Sequence, residues 1–266
     1  MSLQTRTIGE SGPRVAFLHG VLGQGRNWTE IAKDLVADPG IRATLVDLPN
    51  HGRSDWTEDF SYVAMADAVA DELRALAPDE TWVVLGHSMG GKVAMILALR
   101  HPELMRALIV VDIAPFSYGS VERDFTTIIR ALRGLDLDAV ASRGDADKRL
   151  TAAIPNPGTR GFALQNLRRG RETPWVWQAN LDLLQANLAA LGGWPDDIAE
   201  PGTTYDGPVM WLNGADSIYV QPKVVPVMRE LFPTTRTVTV KGAGHWVHTD
   251  EPEVFVSSVR AFLAVI

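Results

Sequence analysis

A serine between two glycines is the first residue of this chain with an evident chemical use. The stretch Gly86-His-Ser-Met-Gly90 places Ser88 two residues from a glycine on either side. An apolar run at residues 82–85 precedes it, and apolar residues at helical spacing follow at 93–100. A serine on such a strand–turn–helix raises its hydroxyl above the end of the sheet, and the glycines allow the backbone to approach closely. The pattern predicts a nucleophilic serine.

A serine hydroxyl becomes a good nucleophile when a histidine takes its proton and a carboxylate orients that histidine. Of the six histidines, His245 is the best base. It follows the last predicted strand in a glycine-bearing loop, which opens at the same edge of a parallel sheet as Ser88. His248 lies three residues on, but we expect no metal site there because no carboxylate motif accompanies the pair. His87 must point away from Ser88, which favours a packing or hydrogen-bonding role.

Two aspartates are candidates for the orienting acid. Asp112 ends the predicted strand at 107–111, and Asp216 follows the predicted strand at 209–212. Both lie at the carboxyl edge of the predicted sheet, where an aspartate can equally cap a turn or a helix. The spacing alone leaves this choice open.

The tetrahedral intermediate of acyl transfer needs backbone N–H donors aimed at its oxyanion. Met89 supplies one because it follows the nucleophile. The second is expected from the loop after the first core strand, in Phe17-Leu-His-Gly-Val-Leu-Gly23. We predict that Val21 donates it, with Leu22 as its neighbour.

Composition narrows the class of protein. The chain has 266 residues, 46% hydrophobic and 21% charged, which is typical of an ordered globular protein. A net charge of −7 argues against nucleic acid or an anionic membrane surface as a partner. The absence of cysteine excludes disulfides and a thiol nucleophile. No run reaches the ~18 apolar residues of a membrane span, so we expect no membrane insertion and a cytoplasmic protein. The oligomeric state is left unknown.

Short apolar runs alternate with helical patterns over most of the chain, which predicts a parallel sheet covered by helices on both faces. The predicted strands are residues 15–18, 43–46, 82–85, 107–111, 209–212 and 237–240. The alternation stops at residues 115–204, where the pattern is helical and contains no convincing strand. We therefore predict a core of residues 1–114 and 205–266 and a helical cap of residues 115–204.

Aromatic residues of the predicted cap are candidates for lining an apolar pocket. They are Phe116, Phe125, Phe162, Trp175, Trp177 and Trp194. The alternative is that each simply packs the cap onto the core. The cap also carries Arg123, Arg168, Arg169 and Arg171, which could contact an anionic carrier such as a coenzyme A phosphate.

Taken together, these motifs resemble those of the α/β-hydrolase superfamily. Four motifs occur in the expected order: His19-Gly20, Asp47-Leu-Pro-Asn-His-Gly-Arg-Ser54, Gly86-His-Ser-Met-Gly90 and Gly244-His245. The resemblance implies an α/β-hydrolase fold with an eight-stranded, mostly parallel sheet and an inserted helical cap between strands six and seven. It implies no cofactor.

Other stretches resemble one subgroup, the small bacterial acyl esterases and the related mitochondrial abhydrolase-domain proteins. They are Asn50-His-Gly52, Val111-Asp-Ile-Ala-Pro115, Ser217-Ile-Tyr-Val220 and Gly244-His-Trp-Val-His248. In that subgroup the acid follows the sixth strand, which here corresponds to Asp112. The superfamily's commoner acid lies three residues after a glycine, and counting from Gly214 that position holds Ser217. The resemblance therefore favours Asp112, with Asp216 as the alternative.

We predict a serine hydrolase for small to medium acyl esters or thioesters, acting through an acyl-enzyme. Ser88 is the nucleophile, His245 the base and Asp112 the acid, and Val21 and Met89 form the oxyanion hole. The residues expected to bind substrate are Leu22, Trp175, Trp177 and Trp246. Two alternatives stay open: a triad-bearing ligand receptor or signalling partner with slow turnover, and a cofactor-free perhydrolase.

Overall fold

The computed structural model describes residues 1–119, 121–200 and 202–266, and within these ranges the side chains of all residues except 121–124. Seven strands form the main sheet: β1 (Thr5–Ile8), β2 (Arg14–Leu18), β3 (Arg42–Val46), β4 (Trp82–His87), β5 (Met105–Val111), β8 (Val209–Gly214) and β9 (Thr235–Val240). Their order across the sheet is β1-β3-β2-β4-β5-β8-β9. The other six strands of this sheet are parallel to one another, and β1 pairs antiparallel with β3 at one edge.

The sheet is mostly parallel, as predicted, but in the described part of the chain it has seven strands rather than eight. Strand β4 is buried at every position, as expected for a central strand with helices on both faces. Strand β1 carries polar residues at an exposed edge, and its four residues gave no apolar run to predict it from.

Eleven helices are described: α1 (Thr29–Ala37), α2 (Tyr62–Leu76), α3 (Met89–Arg100), α4 (Val121–Arg133), α5 (Arg143–Leu150), α6 (Pro157–Ala163), α7 (Leu181–Ala186), α8 (Leu188–Gly192), α9 (Val225–Leu231), α10 (Val247–Asp250) and α11 (Pro252–Leu263). Helices α1 and α11 pack on one face of the sheet, around Trp28 and Phe255. Helices α2 and α3 pack on the other face, around Val69 and Ile96. No helix in the described ranges is long and apolar enough to cross a lipid bilayer.

The segment between β5 and β8 holds α4 to α8 and one short hairpin. The hairpin strands, β6 (Leu167–Arg168) and β7 (Val176–Trp177), pair antiparallel. The prediction that this segment contains no strand was wrong at this point. Two residues per strand are too few for an alternating pattern, so periodicity could not detect them.

The carboxyl ends of β4, β5 and β8 lie side by side. The Ser88 N–H donates to the carbonyl of Val111 at 3.1 Å, and the Asp112 N–H donates to the carbonyl of Leu212 at 2.9 Å. These two bonds continue the ladder one residue past the strands. They bring Ser88, Asp112 and the loop after β8 to one edge of the sheet.

Candidate active site

Ser88 lies on a sharp turn between β4 and α3. Its backbone has φ +53° and ψ −118°, a conformation that residues other than glycine rarely adopt. Close packing fixes the turn: a Cβ added to Gly90 would lie 2.6 Å from the carbonyl oxygens of Leu18 and His19. A Cβ on Gly86 would lie 2.2 Å from the Gly90 oxygen. The glycines on both sides of Ser88 are therefore sterically required.

Asp112 is fully buried and accepts hydrogen bonds on both carboxylate oxygens. Its Oδ2 lies 2.8 Å from His245 Nδ1, and the Ser217 hydroxyl donates to the same oxygen. Its Oδ1 accepts the Gly214 N–H at 3.1 Å. Burying an ionised carboxylate is costly unless it is paired and hydrogen-bonded, and these contacts meet that requirement.

Two further contacts orient His245. The Tyr219 ring stacks on the imidazole with the ring centroids 4.1 Å apart and the planes 25° apart. In addition, His87 Nε2–H donates to the His245 backbone carbonyl at 2.8 Å. His87 thus has the hydrogen-bonding role expected from the sequence. With Nδ1 on Asp112, the imidazole is held in one orientation and one tautomer.

Asp216, the alternative acid, is in a different environment. It is exposed, and its backbone N–H donates to the Ala243 carbonyl at 3.0 Å. Among the described residues, the carboxylate bonded to His245 is that of Asp112. The geometry therefore favours the candidate to which the subgroup resemblance pointed.

Ser88 and His245 line the same small cavity, which has about 30 Å³ of free space, room for about two water molecules. In the described part of the chain no hydrogen bond joins their side chains. Nucleophile–base hydrogen bonds are often long in ligand-free enzymes and shorten when substrate binds. The cavity walls also include Gly20, Val21 and Trp246.

The turn after β2 lies against Ser88. The Gly23 N–H donates to the Gly20 carbonyl at 2.9 Å, and Leu22 inside the turn has φ +60°. A Cβ on Gly20 would lie 3.3 Å from Ser88 Cβ, so the turn and Ser88 are close together. Val21, whose N–H is the predicted oxyanion donor, lines the cavity beside Ser88.

His19 holds this turn in place. Its Nδ1–H donates to the Gly20 carbonyl at 2.8 Å, and its Nε2 accepts the Leu48 N–H at 2.9 Å. An imidazole with one donating and one accepting nitrogen is neutral. Burial also favours the neutral form, because it lowers the pKa of His19 to about 4.

Met89 is the first residue of α3, so its N–H has no acceptor within the helix. It stands at the positive end of the helix dipole, next to the nucleophile. Such N–H groups stabilise developing negative charge. Met89 lines a second lobe of the cavity, which also meets Ser88.

Lys92 is a buried lysine one helical turn after Ser88. Its side chain is 2% exposed, and Nζ donates to the carbonyls of Gly192, at 2.9 Å, and Gly193. The rings of Tyr62 and Tyr118 each lie 5.4 Å from Nζ. Burial lowers the pKa of Lys92 to about 7. The side chain joins the nucleophile helix to the end of α8.

The four residues predicted to bind substrate fall in different places. Trp246 lines the cavity with Ser88, whereas Leu22 is 2% exposed and packs in the core. Trp175 is buried, and its Nε1–H donates to the Val140 carbonyl at 2.8 Å. Trp177 packs against the same apolar cluster. Neither of these two indoles is among the described residues that line the cavities at Ser88, so the structure gives them a packing role against the prediction.

The structure shows which of the other predicted aromatics line the cavity, and it adds two contacts that the sequence did not predict. Phe125 and Phe162, two of the six aromatics proposed for the pocket, do line it. The stacking of Tyr219 on His245 was missed, as was the Ser217 hydroxyl as a donor to Asp112. The position of Ser217, three residues after Gly214, was the available signal, because the superfamily resemblance associates that position with the acid.

Comparison with known proteins supports the assignment of the fold. Residues 13–252 match the protein family described as "alpha/beta hydrolase fold". The chain belongs to this α/β-hydrolase family. A solved structure titled "Marine microorganism esterase" superposes on this α/β-hydrolase with a TM-score of 0.92, at 33% identity and covering 98% of both chains.

Named relatives of this α/β-hydrolase are similar over almost its full length. The sn-1-specific diacylglycerol lipase ABHD11 of Mus musculus is 38% identical over 261 residues, covering 95% of this chain and 81% of the relative. Esterase YbfF of Escherichia coli is 29% identical over 260 residues, covering 98% of this chain and 96% of the relative. Both of these relatives are named as a lipase or an esterase.

Proposed function

We propose that this α/β-hydrolase cleaves carboxylic esters or thioesters, with Ser88 as nucleophile, His245 as base and Asp112 as the acid that orients it. The observation that carries the proposal is the 2.8 Å contact between His245 Nδ1 and the buried Asp112, with His245 and Ser88 lining one cavity. The esterase and lipase relatives support ester hydrolysis in general.

The proposed reaction has two acyl-transfer steps. Ser88 Oγ attacks the acyl carbon and its proton passes to His245 Nε2, while Asp112 stabilises the imidazolium. The N–H groups of Val21 and Met89 donate to the oxyanion. His245 returns the proton to the departing alcohol or thiol, leaving an acyl-serine. Water then attacks the acyl-serine, again with His245 as base, and releases the acid.

The two lobes that meet at Ser88 suggest how the substrate lies. The lobe containing His245 suits the leaving group, because the histidine must protonate it. That lobe shares Asn27, Phe162, Trp246 and His248 with an outer cavity of about 660 Å³, which offers room for a larger alcohol or carrier.

The other lobe suits the acyl group. Its free space is about 20 Å³, and its walls include Tyr118 and Leu191. So small a lobe supports a preference for short acyl chains. Longer chains require the lobe to widen.

We further propose that residues 115–204 act as a cap on a core of residues 1–114 and 205–266. Side chains from this segment, Phe125 and Phe162, line the cavity at Ser88. Substrate must then pass this segment to reach Ser88, so its side chains can select substrates by acyl length.

The test is hydrolysis of p-nitrophenyl esters from two to sixteen carbons, for the wild-type protein and Ser88→Ala, with an acyl-thioester series in parallel. We expect multiple turnover that favours the short esters and is lost in Ser88→Ala. Equal inertness of the two proteins across both series would contradict the proposal and leave a receptor role as the better reading. Turnover in Ser88→Ala equal to wild type would exclude the acyl-serine. Peroxide-dependent turnover that exceeds hydrolysis would favour a perhydrolase.

A further inference from the structure

A large groove lies outside the catalytic cavity. Its free volume is about 770 Å³, within the range of small-molecule sites. One wall comes from the core, from β1 and the loop at residues 47–53, and the other from the β6–β7 hairpin region. Among the described residues, none lines both this groove and the cavity at Ser88. It is a separate concave surface.

Five arginines line this groove: Arg6, Arg26, Arg53, Arg168 and Arg171. Within the described ranges, none of them lies within ion-pair distance of a carboxylate. Surface arginines elsewhere do have such partners, for example Arg100 on Asp67 and Arg133 on Asp182. Five guanidinium groups without a carboxylate partner among the described residues repel each other around one concavity, whereas the chain as a whole has a net charge of −7. This local excess of positive charge favours an anion in the groove.

One carboxylate lines the groove, that of Asp47, and backbone donors already occupy it. Its Oδ1 accepts the Gly25 N–H at 2.7 Å, and its Oδ2 accepts the Arg53 N–H at 2.9 Å. Glu72 stands behind the wall, where its Oε1 accepts from the Thr5 hydroxyl at 3.3 Å. Asp47 and Glu72 offset only two of the five arginine charges, so the net charge around the groove stays positive.

Hydrogen bonds between core and hairpin fix the distance between the two walls. Gln178 Nε2–H donates to the Gly52 carbonyl at 3.3 Å, and the Asn180 N–H donates to the Asn50 carbonyl at 2.9 Å. Among the described residues, Arg26 is the groove arginine whose side chain makes a hydrogen bond, to the Gln165 carbonyl at 2.9 Å. The groove is thus built from two braced walls and is preorganised for a ligand that bridges them.

We propose that this groove binds a soluble ligand through a phosphate or diphosphate group, held between Arg6 and Arg53 of the core and Arg168 and Arg171 of the hairpin region. Arginine matches phosphate geometry through paired N–H donors. A soluble ligand fits better than a membrane headgroup, because the groove is concave and the net charge of −7 opposes approach to an anionic bilayer. Of the four cap arginines singled out in the sequence, Arg168 and Arg171 line the groove. Arg169 lies over the Trp175 ring at 4.1 Å, and the Arg123 side chain is outside the described residues.

The first test is calorimetric titration of the full chain with inorganic phosphate, pyrophosphate and adenosine diphosphate at low ionic strength. The groove variant is the double substitution Arg168→Gln with Arg171→Gln. Its matched control is Arg229→Gln with Arg236→Gln, which removes the same charge from exposed positions outside the groove. We expect wild type and control to bind pyrophosphate equally, and the groove variant to bind at least about tenfold more weakly, because it loses two charge-assisted contacts.

Several outcomes would overturn the proposal. No binding by wild type, or equal weakening in the two double variants, would remove the groove as the site. Loss of binding in Ser88→Ala would mean that the ligand binds in the cavity at Ser88 and not in the groove. Retention by vesicles of anionic phospholipid, with no binding of the soluble phosphates, would assign the groove to a headgroup instead. Binding that survives in Ser88→Ala supports the groove whether or not the protein hydrolyses esters.

Discussion

His87 donates a hydrogen bond from Nε2 to the backbone carbonyl of His245 at 2.8 Å, so the residue before the serine holds the histidine that faces the serine. The two rings also lie 4.7 Å apart. Burial, together with the nearby His245 and His248, holds the pKa of His87 well below its usual value, so it stays a neutral donor. The nucleophile turn and the histidine loop are therefore coupled through one side chain.

Removing this donor is expected to loosen the histidine loop. In His87→Leu we expect kcat to fall about tenfold or more with little change in KM, since small misplacements of a catalytic group are costly. His87→Gln, which keeps an N–H donor, should recover most of the loss. Steady-state kinetics on a short nitrophenyl ester measures both. Equal rates for the two variants would mean that the bond does not position His245.

The choice of acid is tested by a pair of isosteric substitutions. Asp112→Asn should lower kcat by about 10³- to 10⁴-fold, because an amide cannot hold the imidazole in the required tautomer or stabilise its charge. Asp216→Asn should stay within about threefold of wild type, because Asp216 is exposed and, among the described residues, the carboxylate bonded to His245 is that of Asp112. The reverse ranking would show that the loop after β8 supplies the acid during turnover.

The hydroxyl of Ser217 is expected to position Asp112. Ser217→Ala leaves the carboxylate with the Gly214 N–H and His245 as partners, and we expect kcat to fall about tenfold or more, as for the loss of one hydrogen bond to a charged group. Ser217→Thr keeps the hydroxyl and should retain more of the activity. If both variants matched wild type in kcat, the contact would be incidental.

The steric need for glycine near the nucleophile is testable by stability alone. Gly90→Ala puts a Cβ 2.6 Å from two backbone oxygens and should cost about 1–3 kcal/mol or more of unfolding free energy. Gly161→Ala in α6 is the control, because nothing lies within 4 Å of its added Cβ. That change should stabilise the helix by up to about 1 kcal/mol. Thermal unfolding of both variants gives the comparison, and equal midpoints would exclude the clash.

Acid should destabilise the fold before its carboxylates titrate. Burial lowers the pKa of His19 to about 4 and of His51 to about 3, and it lowers the pKa of His87 well below 6.5. Below pH 6.5 the unfolded chain protonates these histidines and the native chain does not, so stability falls as pH falls. Each contributes about 1.4 kcal/mol per pH unit until its native pKa is reached.

Urea unfolding between pH 7.5 and 5 measures how the free energy of unfolding depends on pH. In His51→Gln the number of protons taken up on unfolding should fall by about one, so the slope of unfolding free energy against pH should be smaller, whatever the change in absolute stability. A stability that does not change over this range would mean that the three histidines titrate alike in the native and unfolded chains.

The sequence predicted the candidate site more fully than its surroundings. Ser88 and His245 were proposed because the elbow and the glycine-bearing loop are local patterns, and the two residues line one cavity. Asp112 could not be separated from Asp216 by spacing, because both follow strands that end at the same edge. What separates them is which carboxylate reaches His245, a tertiary relationship between residues 133 positions apart.

The misplaced predictions have a common physical cause. Trp175 and Trp177 were assigned to the pocket by residue type, but the direction of a side chain depends on a hairpin of two-residue strands that no periodicity reveals. Lys92 lies among apolar residues at helical spacing, where a lysine normally indicates an exposed face. Its burial depends on two carbonyls about 100 residues away.

The tether from Lys92 to the end of α8 constrains how the active site can open. If residues 192 and 193 moved away from α3, Lys92 Nζ would lose both carbonyl acceptors while still buried, and an unsatisfied buried donor costs about 1–3 kcal/mol. The end of α8 and the nucleophile helix are thus expected to travel as one rigid unit. If this lobe takes the acyl group as proposed, we expect its floor to keep its shape while substrate enters, so that the size of the lobe sets the acyl length the protein accepts.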